Sequence, residues 1–230
     1  SRIIIALDYP SADAALSLAT QLDAQRCRLK IGKELFTRSG PPVVEKLVQM
    51  GFDIFLDLKY HDIPHTVARA CQAAADLGVW MMNVHTLGGQ AMMQAARDAL
   101  GTAADRPLLI GVTLLTSMDQ TTFEQIGLQG SMTDTVLRLA KLAAHSGLDG
   151  VVCSAQEALQ LRQQHHPDFL LVTPGIRPAN SEQGDQRRTM TPAQASAAGS
   201  HYLVIGRPIT QAPNPMAALN AIEDSLRDSD

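Results

Sequence analysis

Eight short apolar runs, spread along the whole chain, constrain the fold more than any other feature of the sequence. Each run ends in a polar residue or a glycine. The runs are IIIALD (3–8), RLKIG (28–32), DIFLDLK (53–59), MMNVHT (81–86), LLIGVTLLT (108–116), GVVCS (150–154), LLVTPG (170–175) and YLVIG (202–206). They are too apolar for half-exposed antiparallel strands, so they predict strands that are buried on both faces of a parallel sheet.

Helical patterns lie between these runs. The pattern over 64–78 begins with Pro64, a favourable first helical residue, and closes at Gly78. Other amphipathic patterns span residues 11–22, 132–147 and 155–165. Eight strands alternating with helices predict an α/β protein with a (β/α)8 TIM barrel, as a single domain over residues 1–230. The alternative is an open doubly wound sheet, but no G-x-G-x-x-G motif follows the first strand.

The composition narrows the classes of partner and the compartment. A net charge of −4 and an aromatic content of 4% argue against nucleic acid, which requires a basic face and stacking rings. The longest apolar run, residues 108–115, is far shorter than a membrane span, and residues 3–7 are too short for a signal peptide. Three widely separated cysteines show no metal spacing and no disulfide framework. We therefore expect a cytoplasmic protein with no membrane or nucleic-acid partner.

Charged residues stand where the third strand ends. In such a barrel the active site lies at the carboxyl ends of the strands, where Asp57 and Lys59 occur. Being two residues apart, they should point to the same face. The alternative is a structural ion pair, but burying charges stabilises a fold only weakly. Lys30 on the second strand and Asp62 just beyond the third favour a functional network.

Two further segments predict an anion site. Gly206 and Arg207 follow the eighth strand, in the position where this fold binds phosphate. A polar loop over residues 177–190 contains Arg177, Arg187 and Arg188, and loops of this length are often lids. The alternatives are a surface turn at Gly206 and a solvated loop whose arginines have no function.

A metal site is not predicted, although two histidines lie four residues apart. His61 and His65 flank Asp62, a spacing that suggests metal ligands. However, His61 precedes Pro64 and therefore falls outside the helix that would align the two rings. We interpret His85, at the end of the fourth strand, as a hydrogen-bonded residue rather than a ligand.

The segment DLKYHDIPHT (57–66) resembles the D-x-K-x-x-D-I-P-x-T motif of the orotidine 5′-phosphate decarboxylases. The I-P-x-T continuation is specific, because a related group of barrel enzymes shares only D-x-K-x-x-D. The resemblance extends along the whole chain and is greatest to the bacterial members. Its other segments are ALDYP, RLKIGKELF, NVHTLGG, LLTSM, VTPGIRP and IGRPIT.

The resemblance implies cofactor-free decarboxylation of orotidine 5′-phosphate to uridine 5′-phosphate, the last step of de novo synthesis of that nucleotide. Lys59 would donate the proton to the carbon that loses carbon dioxide, and Asp57 would lie beside the departing carboxylate. Lys30 and Asp62 would complete the charged network, and Lys30 and Asp8 would contact the ribose.

The same resemblance implies a homodimer. The residues that would reach into the partner subunit's site are Asp62, Ile63 and Thr66. Thr116 and Ser117 would face the pyrimidine edge. The lid and phosphate site would be lined by Pro174, Arg177, Gln186, Gly206 and Arg207, with Gln183 as a rival to Gln186.

Three other functions remain open from the residues. A metal-dependent sugar-phosphate decarboxylase or aldolase would hold Mg²⁺ with Asp57 and Asp62, but the I-P-x-T continuation argues against it. A Schiff-base aldolase would use Lys59, but the adjacent carboxylate favours the charged lysine over the free amine. A barrel that only binds a phosphorylated metabolite leaves the Asp–Lys network unexplained.

Overall fold

Eight parallel strands form a closed barrel in chain order, as the apolar runs predict. The computed structural model describes residues 1–178 and 189–227. The strands are β1 (Ile3–Ala6), β2 (Arg28–Gly32), β3 (Ile54–Tyr60), β4 (Met81–His85), β5 (Leu108–Val112), β6 (Gly150–Val152), β7 (Leu170–Thr173) and β8 (Tyr202–Ile205). Most of the runs extend past the strands they predict, most clearly at β5, where the run continues to residue 116.

Helices follow the strands around the outside of the barrel. They are α1 (Ala12–Ala19), α2 (Lys33–Ser39), α3 (Pro41–Gln49), α4 (Pro64–Asp76), α5 (Gly89–Ala99), α6 (Gln120–Gln125), α7 (Met132–His145), α8 (Ala155–Gln164), α9 (Pro192–Ala197), α10 (Arg207–Thr210) and α11 (Pro215–Arg227). The four helical patterns of the sequence correspond to α1, α4, α7 and α8, each of which ends earlier than its pattern. No helix in the described part of the chain has the length and apolar character that a membrane crossing requires.

Apolar side chains pack in two layers because both faces of the strands are buried. The larger layer lies between the strands and the helices and includes the three cysteines, all of them free thiols. The smaller layer fills the barrel interior with Ile4, Ala6, Phe55, Met81, Ile110, Val172 and Val204. Successive residues of a strand point to opposite faces, so a residue two positions beyond an interior residue points inward as well.

An aromatic and cationic cluster lies where the strands begin. The guanidinium of Arg28 lies 4.4 Å from the ring centre of Trp80 and 5.2 Å from that of Tyr202. The two rings meet edge to face at 5.0 Å, and Arg28 Nε lies 3.1 Å from Asp53 Oδ2. Such cation–π contacts favour burial of the arginine stem. The amino end of the barrel is therefore packed with side chains, and the opposite end is left for a pocket.

Strand β3 is irregular at its carboxyl end. Leu56 pairs with Met82 of β4, but the next pair is Tyr60 with Val84, so the register shifts between them. On its other side β3 keeps a regular register with β2 up to Asp57. Within the irregular segment, Lys59 has a φ of 53°, and among the described residues it is the one non-glycine with a positive φ. This left-handed conformation is unfavourable for a side chain with a Cβ, so contacts around Lys59 must maintain it.

Candidate active site

A pocket of about 490 Å³ opens at the carboxyl ends of the strands. Its floor is apolar and is formed by Ala6, Phe55, Val112, Val152, Val172 and Val204. Its polar walls contain most of the residues singled out in the sequence: Asp8, Lys30, Asp57, Lys59, Thr116, Ser117, Pro174, Arg177, Gly206 and Arg207. Residues from six widely separated segments therefore meet in one cavity, because parallel strands bring their carboxyl ends together.

Four of these residues form a row of alternating charge. Lys59 Nζ lies 2.6 Å from Asp57 Oδ1. Lys30 Nζ lies 3.5 Å from Asp57 Oδ2 and 3.4 Å from Asp8 Oδ1. The side chains of Lys30 and Asp57 are 11% and 14% exposed, whereas that of Asp8 is 71% exposed at the outer end of the row. Two ammonium groups thus flank one largely desolvated carboxylate.

This arrangement keeps Asp57 ionised. Burial raises the pKa of the Asp57 carboxyl, but the positive charges of Lys30 and Lys59 lower it, and so do hydrogen bonds from Lys59 and Asn83. The net pKa lies below the usual value for an aspartate. At neutral pH the pocket therefore presents a fixed negative charge between two cations.

Asn83 belongs to this cluster and was not singled out in the sequence. Its side chain is fully buried at the centre of β4. Asn83 Nδ2 donates a hydrogen bond of 2.7 Å to Asp57 Oδ1, and the backbone N–H of Lys59 donates one of 2.7 Å to Asn83 Oδ1. The sequence contained a signal for it, because an amide two residues beyond the interior residue Met81 must point into the barrel and find polar partners.

The loops after β7 and β8 form the opposite wall. Pro174, Gly175 and Arg177 follow β7, and Gly206, Arg207 and Gln211 follow β8. The described ends of the segment 177–190 meet, since the N–H of Arg177 donates to the carbonyl of Met190 at 2.9 Å. Gln186, its rival Gln183, and the loop residues Arg187 and Arg188 lie outside the described residues.

Three residues of the motif do not line this pocket. Asp62, Ile63 and Thr66 are all exposed, and Ile63 exposes 66% of its surface. Asp62 Oδ1 accepts a hydrogen bond of 2.6 Å from the N–H of Ile63, its own neighbour in the chain. Within one chain, therefore, Asp62 is not part of the charged row in the pocket.

The histidines near β3 and β4 do not form a metal centre. His61 and His65 are exposed, and no three His, Cys, Asp or Glu residues of the described chain are grouped to hold an ion. The interpretation of His85 as hydrogen-bonded is wrong for its Nδ1, which is buried without a partner. Burial, together with the nearby His61 and Lys33, lowers the pKa of His85 to about 4. His85 is therefore neutral at physiological pH.

A closed parallel barrel with a charged pocket at the carboxyl ends of its strands is the architecture of a (β/α)8-barrel enzyme. Residues 1–222 match the model of the Orotidine 5′-phosphate decarboxylase / HUMPS family, and the chain belongs to this family.

Curated relatives and a solved structure agree with this family. The orotidine 5′-phosphate decarboxylase of Nitrosococcus oceani is 64% identical, over 98% of this chain and 97% of that protein. The orotidine 5′-phosphate decarboxylase of Hydrogenovibrio crunogenus is 61% identical, over 98% of this chain and 95% of its own. The crystal structure of the orotidine 5′-phosphate decarboxylase from Lactobacillus acidophilus superposes with a TM-score of 0.87 at 42% identity, covering 97% of this chain and 98% of that one. The resemblance of the motif segments is thus confirmed at the level of family.

Proposed function

We propose that the protein decarboxylates orotidine 5′-phosphate to uridine 5′-phosphate and carbon dioxide, without a metal or an organic cofactor, as the last step of de novo synthesis of that nucleotide. The names of the relatives support the substrate. The observation that carries the proposal is the contact of 2.6 Å between Lys59 Nζ and Asp57 Oδ1, inside a pocket that also contains Arg207.

In this reaction the bond between the ring carbon and the carboxylate breaks, and its electron pair stays on the ring carbon. The pyrimidine ring delocalises that charge poorly, so the stabilisation must come from the protein. The Lys59 ammonium stabilises the carbanion as it forms and then transfers a proton to it. The new C–H bond leaves Lys59 as a neutral amine, which regains its proton from water.

Asp57 has two roles in this proposal. Its hydrogen bond holds the Lys59 ammonium at one place, so the proton donor needs no reorganisation during the reaction. Its negative charge also lies where the substrate carboxylate would enter, so loss of carbon dioxide relieves a repulsion. Lys30 holds the opposite oxygen of Asp57 at 3.5 Å and contributes, with Asp8, polar groups for the ribose.

The apolar floor strengthens these electrostatic interactions. Phe55, Val152 and Val172 lie beneath the charged row and keep water from that side of the pocket. Interactions between charges are stronger where the surroundings are less polar. A small number of charged groups is then enough to act on one carbon atom.

The rest of the substrate is held at the pocket walls. We assign the phosphate to Gly206, Arg207 and Arg177, with Pro174 beside them and Gln186 from the polar loop, and the pyrimidine edge to Thr116 and Ser117. Arginine forms paired, charge-assisted hydrogen bonds with phosphate oxygens. Because the phosphate is remote from the reacting carbon, its binding energy can be used to organise the charges there.

The active form in this proposal is a homodimer in which Asp62, Ile63 and Thr66 enter the partner's pocket. The support is that all three are exposed on one chain, and that Ile63 presents an isoleucine side chain to solvent. Their exposure leaves the three side chains accessible to a second subunit. Asp62 of one subunit would then extend the charged row of the other.

We further propose a cytoplasmic protein that binds neither nucleic acid nor membrane. The three cysteines are buried free thiols, as is usual in a reducing compartment. The net charge of −4 disfavours attraction to nucleic-acid phosphates.

The first experiment follows the loss of orotidine 5′-phosphate absorbance with purified protein, with and without a strong chelator. We expect turnover that the chelator does not change. Lys59→Ala should lower kcat by at least about 10²- to 10⁴-fold, the usual contribution of a positioned proton donor. Lys46→Ala, an exposed lysine of α3, is the matched control and should leave kcat unchanged.

Two results would contradict the proposal. A folded Lys59→Ala protein that keeps most of its activity would exclude Lys59 as the proton donor. Turnover that the chelator abolishes would instead favour the metal-dependent sugar-phosphate chemistry.

A further inference from the structure

Strand β4 has fewer residues than β3 across the irregular part of β3. Three residues, 57–59, lie between the paired residues Leu56 and Tyr60. On β4 a single residue, Asn83, lies between their partners Met82 and Val84. The backbone of β4 therefore cannot supply a partner for every group of the longer segment, as in other strand bulges.

The side chain of Asn83 supplies what the backbone lacks. Its Oδ1 accepts the N–H of Lys59 at 2.7 Å, and its Nδ2 donates to Asp57 Oδ1 at 2.7 Å. The orientation of the amide follows from its partners, since a backbone N–H only donates and an ionised carboxylate only accepts. One planar group thus bonds to both residues of the Asp–Lys pair.

We propose that Asn83 is a positioning residue that holds Lys59 and Asp57 in their reactive arrangement. The bond to the Lys59 N–H helps maintain the left-handed backbone from which the side chain reaches Asp57 Oδ1 at 2.6 Å. The bond from Asn83 Nδ2 to Asp57 is made to the same oxygen that accepts from Lys59 Nζ. This inference rests on the proposed function, because it assumes that Lys59 is the proton donor.

The chemistry of the position favours an amide over other side chains. Aspartate keeps the acceptor for Lys59 but places a second carboxylate against Asp57. Alanine provides neither a donor nor an acceptor. An amide carries a donor and an acceptor on two atoms held in one plane, which matches a backbone N–H and a carboxylate side by side.

The test compares Asn83→Ala and Asn83→Asp with the wild-type protein. For Asn83→Ala we expect kcat to fall on the order of 10- to 100-fold, the effect of losing hydrogen bonds to a charged pair. The affinity for uridine 5′-phosphate, which lacks the carboxylate, should not change, because the phosphate contacts lie on the opposite wall. Titration with this nucleotide also counts folded sites, so the rate can be given per intact site.

The pH profile of Asn83→Asp distinguishes a positioning role from a purely structural one, because a loss of stability alone would not shift that profile. A second carboxylate beside Asp57 raises the apparent pKa of the pair, so the acid limb of the profile of kcat/KM against pH should shift to higher pH. Asparagine and aspartate have nearly equal shapes, so this variant avoids the cavity that alanine would leave. Ser200→Ala is the control, since it removes a buried hydrogen bond of 2.7 Å to Thr173 away from the pocket lining and should leave the rate and the profile unchanged.

Hydrogen exchange at the Lys59 amide tests the inference without any turnover. The N–H of Lys59 should be protected in the wild type and should exchange faster in Asn83→Ala. Unchanged protection, or a kcat per intact site equal to that of the wild type, would overturn the proposed role. If the wild-type protein does not turn over orotidine 5′-phosphate, the proposed function fails, and the exchange rate alone decides whether Asn83 holds Lys59.

Discussion

Mixing two inactive variants should restore activity if Asp62 acts in the partner's site. Lys59 lines the pocket of its own chain, whereas Asp62 is exposed and does not. We expect Lys59→Ala and Asp62→Ala, each alone, to retain on the order of 1% or less of the wild-type rate, since under the proposed function each removes a charge of the network around the reacting carbon. In a mixed dimer, one site combines the intact Lys59 of one chain with the intact Asp62 of the other.

The size of the recovery follows from counting sites. Random exchange of equal amounts of two subunits gives about half mixed dimers, and each mixed dimer has one complete site out of two. The mixture should therefore regain about one quarter of the wild-type rate. The assay is the loss of orotidine 5′-phosphate absorbance after partial unfolding and joint refolding, with each variant refolded alone as a baseline.

Wild type mixed with the double variant, which carries both Lys59→Ala and Asp62→Ala, is the matched control. If the sites are shared between subunits, the mixed dimers have no complete site, and the rate should be about one quarter of that of the wild type. If each site belongs to one chain, every wild-type subunit stays active, and the rate should be about one half. A single-variant mixture that stays at the baseline, together with a control near one half, would refute the assignment of Asp62 to the partner's site.

Three further predictions concern phosphate binding, an ion pair and pH. Arg207→Ala should lower kcat/KM for orotidine 5′-phosphate by about 10²- to 10³-fold but leave the rate with the phosphate-free nucleoside unchanged, because charge-assisted hydrogen bonds to phosphate are lost. Asp149→Ala should lower the free energy of unfolding by about 2–4 kcal/mol, measured by chemical denaturation. The variant removes the two contacts of Asp149 with Arg106, of 2.6 and 2.8 Å, and the acceptor of the Leu109 N–H. The melting temperature should fall as pH drops from 6.5 towards 4. The pKa of His85 is lowered to about 4 in the folded protein, whereas in the unfolded chain it has its usual value of 6.5, so between these pH values only the unfolded chain takes up a proton. The decrease should be smaller in His85→Gln.

Each of these has an opposite result that would contradict it. Equal losses with both substrates would show that Arg207 does not bind the phosphate. An unchanged denaturation midpoint would mean that the contacts of Asp149 contribute nothing net to stability. If wild type and His85→Gln lose melting temperature in parallel across the pH range, another group is responsible for the acid sensitivity.

The barrel could be predicted from the sequence because buried parallel strands leave a clear pattern. Every apolar run begins within a residue of a strand, and Asp57 and Lys59 do face the same cavity. The helices were predicted less completely. α6 and α10 have six and four residues, too few to show a helical repeat, so their formation depends on packing against the barrel. α5 is amphipathic and buries Met92, Met93 and Ala96 on one face, but its pattern was not among the predicted helices.

The finer geometry of the site could not be predicted, because it depends on one strand's departure from regularity. Strict alternation places Asp57 and Lys59 on one face, but it does not predict the shifted register or the positive φ of Lys59. Alternation from Met81 also places Asn83 inside the barrel, but it does not predict that Asn83 lies opposite the irregular residues 57–59. The placement of Asp62 relative to a partner is a relation between two chains, and one chain's pattern does not contain it.

The packed amino end of the barrel bears on how molecules enter and leave. Arg28, Trp80 and Tyr202 pack together at that end, and the side chains of the interior layer lie between them and the pocket. In the described part of the chain, these interior side chains separate the pocket from the amino end of the barrel. Under the proposed function, the nucleotide and carbon dioxide would leave through the same opening, at the carboxyl ends of the strands. The order of product release would then be set at that opening. Carbon dioxide would leave either past the bound nucleotide or after the nucleotide has dissociated.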